Sequence, residues 1–245
     1  MPFQGSMVVI DLQEVKLPAY VTKPAKASNK TPGIILVHDW MGLGNFTKTV
    51  ADRYAAQGYV TIAPDLYLGS LPNNPDEARK LSSAVTAPVS KKVLDGTVVY
   101  LKALDTTKVG ITGFCFGGTQ TFDHICDSKE LSAGVIYYAT RLPGQAQLQN
   151  ISAPLLIIYG DQDQHVSPEE AKQLESTLKV WVKMQSCSFI LDALTLFSMK
   201  RTKKTTGRKL QRMRGKRRWN FSRDDYFLTG SLCIFFSKIS IVCII

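Results

Sequence analysis

Short apolar runs alternate with segments of helical spacing along the first three quarters of the chain, and this alternation limits the fold most. Residues 33–38 form an apolar run after Pro-Gly, and residues 45–59 then show apolar spacing typical of a helix that ends at Gly58. Strands that alternate with helices of this length predict a mostly parallel sheet with helices on both faces, an α/β fold. The predicted strands are 33–38, 59–63, 108–112, 133–138 and 154–159, with a last strand starting at 180–182. The predicted helices are 45–59, 75–85, 90–104, 117–126 and 168–178.

Composition excludes several other classes of protein. The chain has 245 residues, 44% of them hydrophobic and 20% charged, which are values of a globular protein rather than a disordered or collagen-like one. Its five cysteines include no CxxC pair and no metal-ligand spacing, and no basic stretch followed by an apolar run opens the sequence. We therefore expect a cytoplasmic protein without a disulfide framework and without a metal.

The positive charge is confined to the C-terminal quarter. Residues 1–183 contain 17 Lys and Arg against 17 Asp and Glu, whereas residues 184–245 contain 13 against 3. So sharp an asymmetry indicates a boundary rather than a basic protein. We therefore predict one domain over 1–183 and a separate tail over 184–245, and we expect no nucleic-acid partner.

One predicted strand runs directly into a glycine-rich turn that contains a cysteine. The sequence Gly113-Phe-Cys115-Phe-Gly117-Gly118 follows this strand and precedes a predicted helix, as in a nucleophile elbow with cysteine in place of serine. Such a turn needs small residues beside the nucleophile, and the N-terminus of the following helix is expected to lower the thiol pKa and to stabilise an oxyanion. The alternative is an inert buried cysteine in a tight strand-to-helix turn.

Four stretches in this order resemble the dienelactone hydrolase family of the α/β-hydrolase fold. They are Leu36-Val-His-Asp-Trp-Met-Gly-Leu43, Ala63-Pro-Asp-Leu-Tyr67, the cysteine elbow, and Gly160-Asp-Gln-Asp-Gln-His-Val166 with Pro168. The resemblance covers roughly residues 8 to 183. It implies a three-layer sandwich around a mostly parallel sheet, and hydrolysis of small-molecule lactones or esters by a Cys-His-Asp triad without metal or organic cofactor.

The resemblance assigns roles to individual residues. Cys115 matches the nucleophile, and Asp163 matches the triad acid in a Gly-x-x-Asp pattern that opens at Gly160; Asp161 is the rival carboxylate, and a cap of the helix at 168 is the alternative role of Asp163. Asp39 stands where the family often has a glutamate that contacts the thiol. The backbone N–H groups of Trp40 and Phe116 match the oxyanion hole.

A substrate clamp is suggested at one position. Members of this family hold a substrate carboxylate with arginines, and Arg79 lies in the corresponding region. On a helix that starts at residue 75, the alternative role of Arg79 is that of a solvated surface charge.

The general base is missing from its usual place. In this fold the histidine follows the last strand, but the chain has only His38, His124 and His165, all of which precede residue 180. We therefore expect hydrolysis to be impaired, and an inactive homologue or a small-molecule or carboxylate-binding protein is the alternative.

The tail resembles no part of the family. Residues 200–218 hold eleven Lys and Arg and no acid, and residues 226–245 are apolar except for Lys238. We expect an unstructured, aggregation-prone appendage rather than the two alternatives, a nucleic-acid-binding run and a membrane anchor, and we expect no membrane partner. If the codons for residues 210–222 are read in a shifted frame that starts at the third base of each codon, they can encode an acidic amphipathic helix. We therefore infer that the chain leaves its proper reading frame near residue 184. The C-terminal part of the fold is then expected to be incomplete.

Overall fold

The fold is known from a computed structural model, which describes residues 3–28, 30–159 and 163–181. Seven strands and six helices occur within these ranges. The strands are β1 (Phe3–Asp11), β2 (Lys16–Pro24), β3 (Gly33–Val37), β4 (Val60–Pro64), β5 (Val109–Phe114), β6 (Ala133–Tyr137) and β7 (Leu155–Ile158). The helices are α1 (Asn45–Ala56), α2 (Pro75–Ala84), α3 (Ala87–Ala103), α4 (Phe116–Asp127), α5 (Gln145–Leu148) and α6 (Pro168–Trp181).

The strands form one sheet in the order β1-β2-β4-β3-β5-β6-β7. The pairs from β4 to β7 are parallel, and β1 and β2 add an antiparallel edge. The mostly parallel sheet that the sequence predicts is therefore confirmed. The edge hairpin has no predicted counterpart, because β1 is largely exposed and β2 contains prolines at residues 18 and 24, which weakens the strand pattern.

Helices cover both faces of the sheet. Along β3, Ile35 and Val37 pack in the larger core with side chains of α3 and α4, whereas Ile34 and Leu36 pack on the opposite face with α1. This alternation follows from the period of two along a strand, and it gives the three layers that were expected. The parallel strands all end at one edge, and the loops that follow them carry the site.

The last predicted strand is wrong as far as the structure describes it. Residues 180 and 181 continue α6, which begins with a capping box in which the Ser167 Oγ accepts from the Glu170 N–H and the Glu170 carboxylate accepts from the Ser167 N–H. Leu174 and Leu178 are buried at helical spacing, so packing of the helix overrides the β propensity of Val180. The proposed boundary at 183/184 and the whole tail lie outside the described residues.

No helix within the described ranges combines the length and the apolar character that a membrane span requires. The apolar residues 226–245 are not part of those ranges.

Candidate active site

Cys115 lies at a strained junction between β5 and α4. Its backbone has φ 57° and ψ −118°, in the left-handed half of φ that residues with a side chain avoid. The junction is held from both sides, because the Cys115 N–H donates to the Tyr137 carbonyl (3.1 Å) and the Thr119 N–H donates to the Cys115 carbonyl (3.0 Å). The side chain is half-buried at the carboxyl edge of the sheet.

Three glycines allow the backbone to pass close to this junction. A Cβ on Gly113 would lie 2.3 Å from the Gly117 carbonyl oxygen, and one on Gly117 would lie 2.3 Å from the His38 carbonyl oxygen. A Cβ on Gly118 would lie 2.4 Å from the Tyr137 carbonyl oxygen. All three obstacles are backbone atoms, which cannot rotate away, so the small residues of the motif have a steric reason.

The surroundings of the Cys115 thiol favour its protonated form. Burial raises the pKa of the thiol, the neighbouring Phe116 N–H lowers it, and the carboxylates of Asp39 and Asp163 raise it further. The net shift is upward, so the lowered thiol pKa expected from the helix N-terminus is wrong for this state of the site. The physical reason is that desolvation and two nearby anions outweigh the effect of one neighbouring backbone N–H on the thiolate. Both carboxylates thus lie close enough to act on the sulfur.

The loop after β3 carries Asp39 and Trp40 and is tied down at several points. The Asp39 carboxylate accepts from the Met41 N–H (2.8 Å), and the Tyr67 hydroxyl donates to the Trp40 carbonyl (2.9 Å). Both bonds hold the Trp40–Met41 peptide, which directly follows the Trp40 N–H. This is the loop to which the sequence assigns one half of an oxyanion hole.

His38 is a structural residue of the same loop. Its side chain is fully buried, and its Nε2 accepts from the Leu66 N–H (3.1 Å). The proton therefore resides on Nδ1, which donates to the Asp39 carbonyl (2.7 Å). Burial lowers the pKa of His38. With both ring nitrogens engaged, His38 joins the loops after β3 and β4 and has no nitrogen available for the proton of Cys115.

His124 is buried within α4. Neither of its ring nitrogens has a hydrogen-bond partner, and the nearest carboxylate is Asp95, 3.9 Å from Nε2. Burial lowers the pKa of His124 to about 4. It lies nine residues beyond Cys115, which is about 13 Å along the helix axis. It is therefore remote from the thiol.

Asp163 and His165 share the loop that precedes α6. The Asp163 Oδ1 accepts from the N–H groups of His165 (2.8 Å) and Val166 (3.0 Å), which leaves Oδ2 as the less committed oxygen. The alternative role, a cap of α6, belongs to Ser167 instead. His165 is exposed, and Gly160 and Asp161 lie outside the described residues.

Arg79 is directed to the surface of α2. Its side chain is 67% exposed and pairs with the Asp76 carboxylate three residues earlier (2.7 Å). This pairing favours the surface-charge alternative, and the suggested clamp stays a prediction.

Two tyrosines beside the thiol are not among the site residues predicted from the sequence. The pKa of Tyr138 is raised to about 12 by burial, by Cys115 and by Asp39, and the pKa of Tyr67 is raised chiefly by burial. Tyr67 ends the Ala63–Tyr67 stretch and Tyr138 directly follows β6. Their position just after two parallel strands could have indicated that they belong to the site, since the carboxyl ends of neighbouring parallel strands meet at one edge of the sheet.

No group of three or more His, Cys, Asp or Glu side chains is arranged to hold a metal ion within the described ranges.

A parallel sheet covered on both faces, with a nucleophile-type turn at its carboxyl edge, defines the α/β-hydrolase fold. Solved structures agree: the putative dienelactone hydrolase of Klebsiella pneumoniae subsp. pneumoniae MGH 78578 has a TM-score of 0.70 at 22% identity, covering 78% of this chain and 85% of that one. A dienelactone hydrolase-like promiscuous phosphotriesterase from metagenomic libraries has a TM-score of 0.67 at 20% identity, covering 79% and 83%.

The chain belongs to the dienelactone hydrolase family, whose model matches residues 17–189. It is 33% identical over 187 residues to Protein usf of Aquifex pyrophilus, covering 72% of this chain and 79% of that one. It is 32% identical over 183 residues to the carboxymethylenebutenolidase homolog of Xenopus tropicalis, covering 71% and 72%. The predictions of this family and of a hydrolase are confirmed.

Proposed function

We propose that this chain is a cofactor-free hydrolase of carboxylic ester or lactone bonds with Cys115 as its nucleophile. One observation carries the proposal: Cys115 occupies the left-handed junction between β5 and α4, directly before the free N–H groups of the first turn of that helix. An N–H group at this helix start, that of Phe116 first, is placed to stabilise an oxyanion formed on a carbonyl carbon that the sulfur attacks.

The proposed reaction has two halves. The Cys115 thiolate attacks the carbonyl carbon, and the negative charge moves to the carbonyl oxygen, where the N–H groups of Phe116 and Trp40 stabilise it. Collapse of this intermediate expels the alcohol oxygen, which takes up a proton, and leaves a thioester on Cys115. Water then adds to the thioester and releases the acid and the thiol.

The weak step is removal of the thiol proton. Asp163 would orient an imidazole, as the acid of a triad does, but His38 has both nitrogens engaged and His124 is remote. His165 is exposed, and its backbone is bonded to the acid that should orient it. Turnover by this chain should therefore be slow, limited by the thiolate that ionises without help.

A catalytically inactive homologue that only binds small molecules is the competing function. The half-buried Cys115 and its left-handed backbone at the start of α4 favour the hydrolase, since a binding site needs neither. Cys115 and Cys126 are both free thiols, which supports the proposed cytoplasmic setting. The proposal includes no nucleic-acid or membrane partner.

The test is acylation of the full chain by p-nitrophenyl butyrate, followed by intact mass and by release of nitrophenolate. We expect one acyl group per chain on Cys115, a burst of about one equivalent of nitrophenolate, and slow turnover afterwards. Cys115→Ala should abolish the adduct, and the matched variant Cys126→Ala should retain it. No adduct on the folded chain, or an adduct that survives Cys115→Ala, would refute the proposal. Fast turnover lost in His165→Ala would show that His165 is the base.

A further inference from the structure

The charges that face the thiol are negative. Asp39 follows β3, and Asp163 lies in the loop between β7 and α6. The carboxylates of both residues raise the pKa of the Cys115 thiol. Asp39 also raises the pKa values of Tyr67 and Tyr138. No lysine or arginine of the described ranges contributes to the shifts at these three side chains. Asp39 thus acts on three side chains of one site, and Asp163 acts on one of them.

The cation that family resemblance suggests for this site is engaged elsewhere. Arg79 pairs with Asp76 on the exposed side of α2. A substrate carboxylate placed near Cys115 would therefore meet two anions without a matching cation from the described residues. Like charges within a partly desolvated site repel each other more strongly than in water.

Large apolar side chains stand exposed around the same edge of the sheet. Met41 directly follows Trp40, and a Leu71 methyl lies 3.4 Å from the position of a Cβ on Gly42 in the same loop. The Phe46 ring packs edge-on against Phe114, the residue before Cys115, with 5.8 Å between ring centroids. Met41, Phe46 and Leu71 are 37–58% exposed. An exposed apolar rim beside a nucleophile is typical of a surface that contacts substrate.

We infer that the site selects uncharged esters or lactones with an apolar acyl group and rejects substrates that carry a carboxylate next to the scissile bond. The inference rests on the proposed function and deepens it. Asp39 and Asp163 exclude the anion, and Leu71 with its apolar neighbours contacts the acyl chain.

Two alkylating agents of nearly equal size isolate the charge. Iodoacetamide is neutral and iodoacetate is an anion, and each transfers its carbon to the Cys115 sulfur with loss of iodide. The ratio of their rates at Cys115 in the full chain, divided by the same ratio in the urea-unfolded chain, measures discrimination by the folded site alone. We expect iodoacetate to be disfavoured by about tenfold or more at low salt, and less at high salt.

Single substitutions test which residues cause the discrimination against iodoacetate and which residue contacts the acyl chain. Asp39→Asn and Asp163→Asn should each bring the ratio towards that of the unfolded chain, whereas Arg79→Gln should leave it unchanged. For the apolar part, Leu71→Ser should slow acylation by p-nitrophenyl butyrate by about threefold or more without changing acylation by p-nitrophenyl acetate.

The outcomes separate the inference from the proposed function. Equal discrimination in the folded and unfolded chains, or a selective loss of iodoacetate reactivity in Arg79→Gln, would overturn the inference and leave the nucleophile intact. A folded chain in which Cys115 reacts with neither reagent and forms no acyl adduct would refute the proposed function itself.

Discussion

Replacing His124 by leucine should flatten the dependence of folding stability on pH. The imidazole is buried within α4, and burial lowers its pKa from 6.5 to about 4. Asp95 and Asp127 oppose this shift and Lys91 adds to it, but burial dominates. The folded protein therefore holds this ring neutral at pH values where the unfolded chain has already protonated it.

The sign and size of the effect follow from linkage. Below about pH 6.5 the unfolded chain binds a proton that the folded chain does not, so the free energy of unfolding falls as the pH is lowered towards about 4. The difference between the two pKa values corresponds to about 3 kcal/mol, a large share of a typical stability of about 5–15 kcal/mol. Near neutral pH, His124→Leu should be neutral or stabilising, because it removes two buried nitrogens that have no hydrogen-bond partner.

The assay is urea denaturation followed by far-UV circular dichroism at several pH values between about 4 and 7.5. Carboxylates also titrate in this range, but those remote from His124 contribute equally to both proteins and cancel in the difference between wild type and His124→Leu. That difference should grow by up to about 3 kcal/mol in favour of the variant as the pH falls. The matched variant His165→Leu changes an exposed histidine and should show no such trend. A pH-independent difference for His124→Leu would refute the argument.

Four further outcomes are expected. Gly117→Ala should lower the free energy of unfolding in urea by about 2–3 kcal/mol, since its Cβ meets the His38 carbonyl oxygen, whereas Gly144→Ala should cost less than about 0.5 kcal/mol; equal losses would contradict the steric reason. Tyr67→Phe removes the bond to the Trp40 carbonyl and should slow acylation of Cys115 by about tenfold without slowing alkylation by iodoacetamide, which forms no oxyanion; a parallel loss of both rates would indicate a general disturbance instead. Alkylation of Cys115 should accelerate with pH into the alkaline range, because its thiol pKa is raised, while Cys126, buried and with a pKa raised to about 12, stays unlabelled in the folded chain. Replacing residues 184–245 by the sequence of the shifted codon frame should raise steady-state ester turnover by about a hundredfold or more through a restored base, and an unchanged rate would count against the frame argument.

The elbow was predictable because its reason is local. The turn has a glycine two residues before and two residues after Cys115, and backbone atoms leave no room for a Cβ at Gly113 or Gly117. The motif alone therefore indicates the geometry. The thiol pKa was not predictable in the same way. The sequence shows the helix N-terminus that follows Cys115, but Asp39 and Asp163 reach the sulfur from other strand ends, 76 and 48 residues away along the chain. Only the order of strands in the sheet brings these charges together.

For the histidines, too, the sequence predicts the position of the side chain but not its hydrogen-bond partners. From the sequence, His38 ends a strand at the edge where the chemistry concentrates, and a residue so placed is a reasonable candidate for a base. The hydrogen bonds of its two ring nitrogens exclude His38 as the base, because Nε2 accepts from the Leu66 N–H and Nδ1 donates to the Asp39 carbonyl. Accepting the Cys115 proton would break the bond from Leu66 and charge a ring whose pKa burial already lowers. Proximity to a nucleophile therefore does not make a histidine a base, because the ring also needs a lone pair that the fold has not already used.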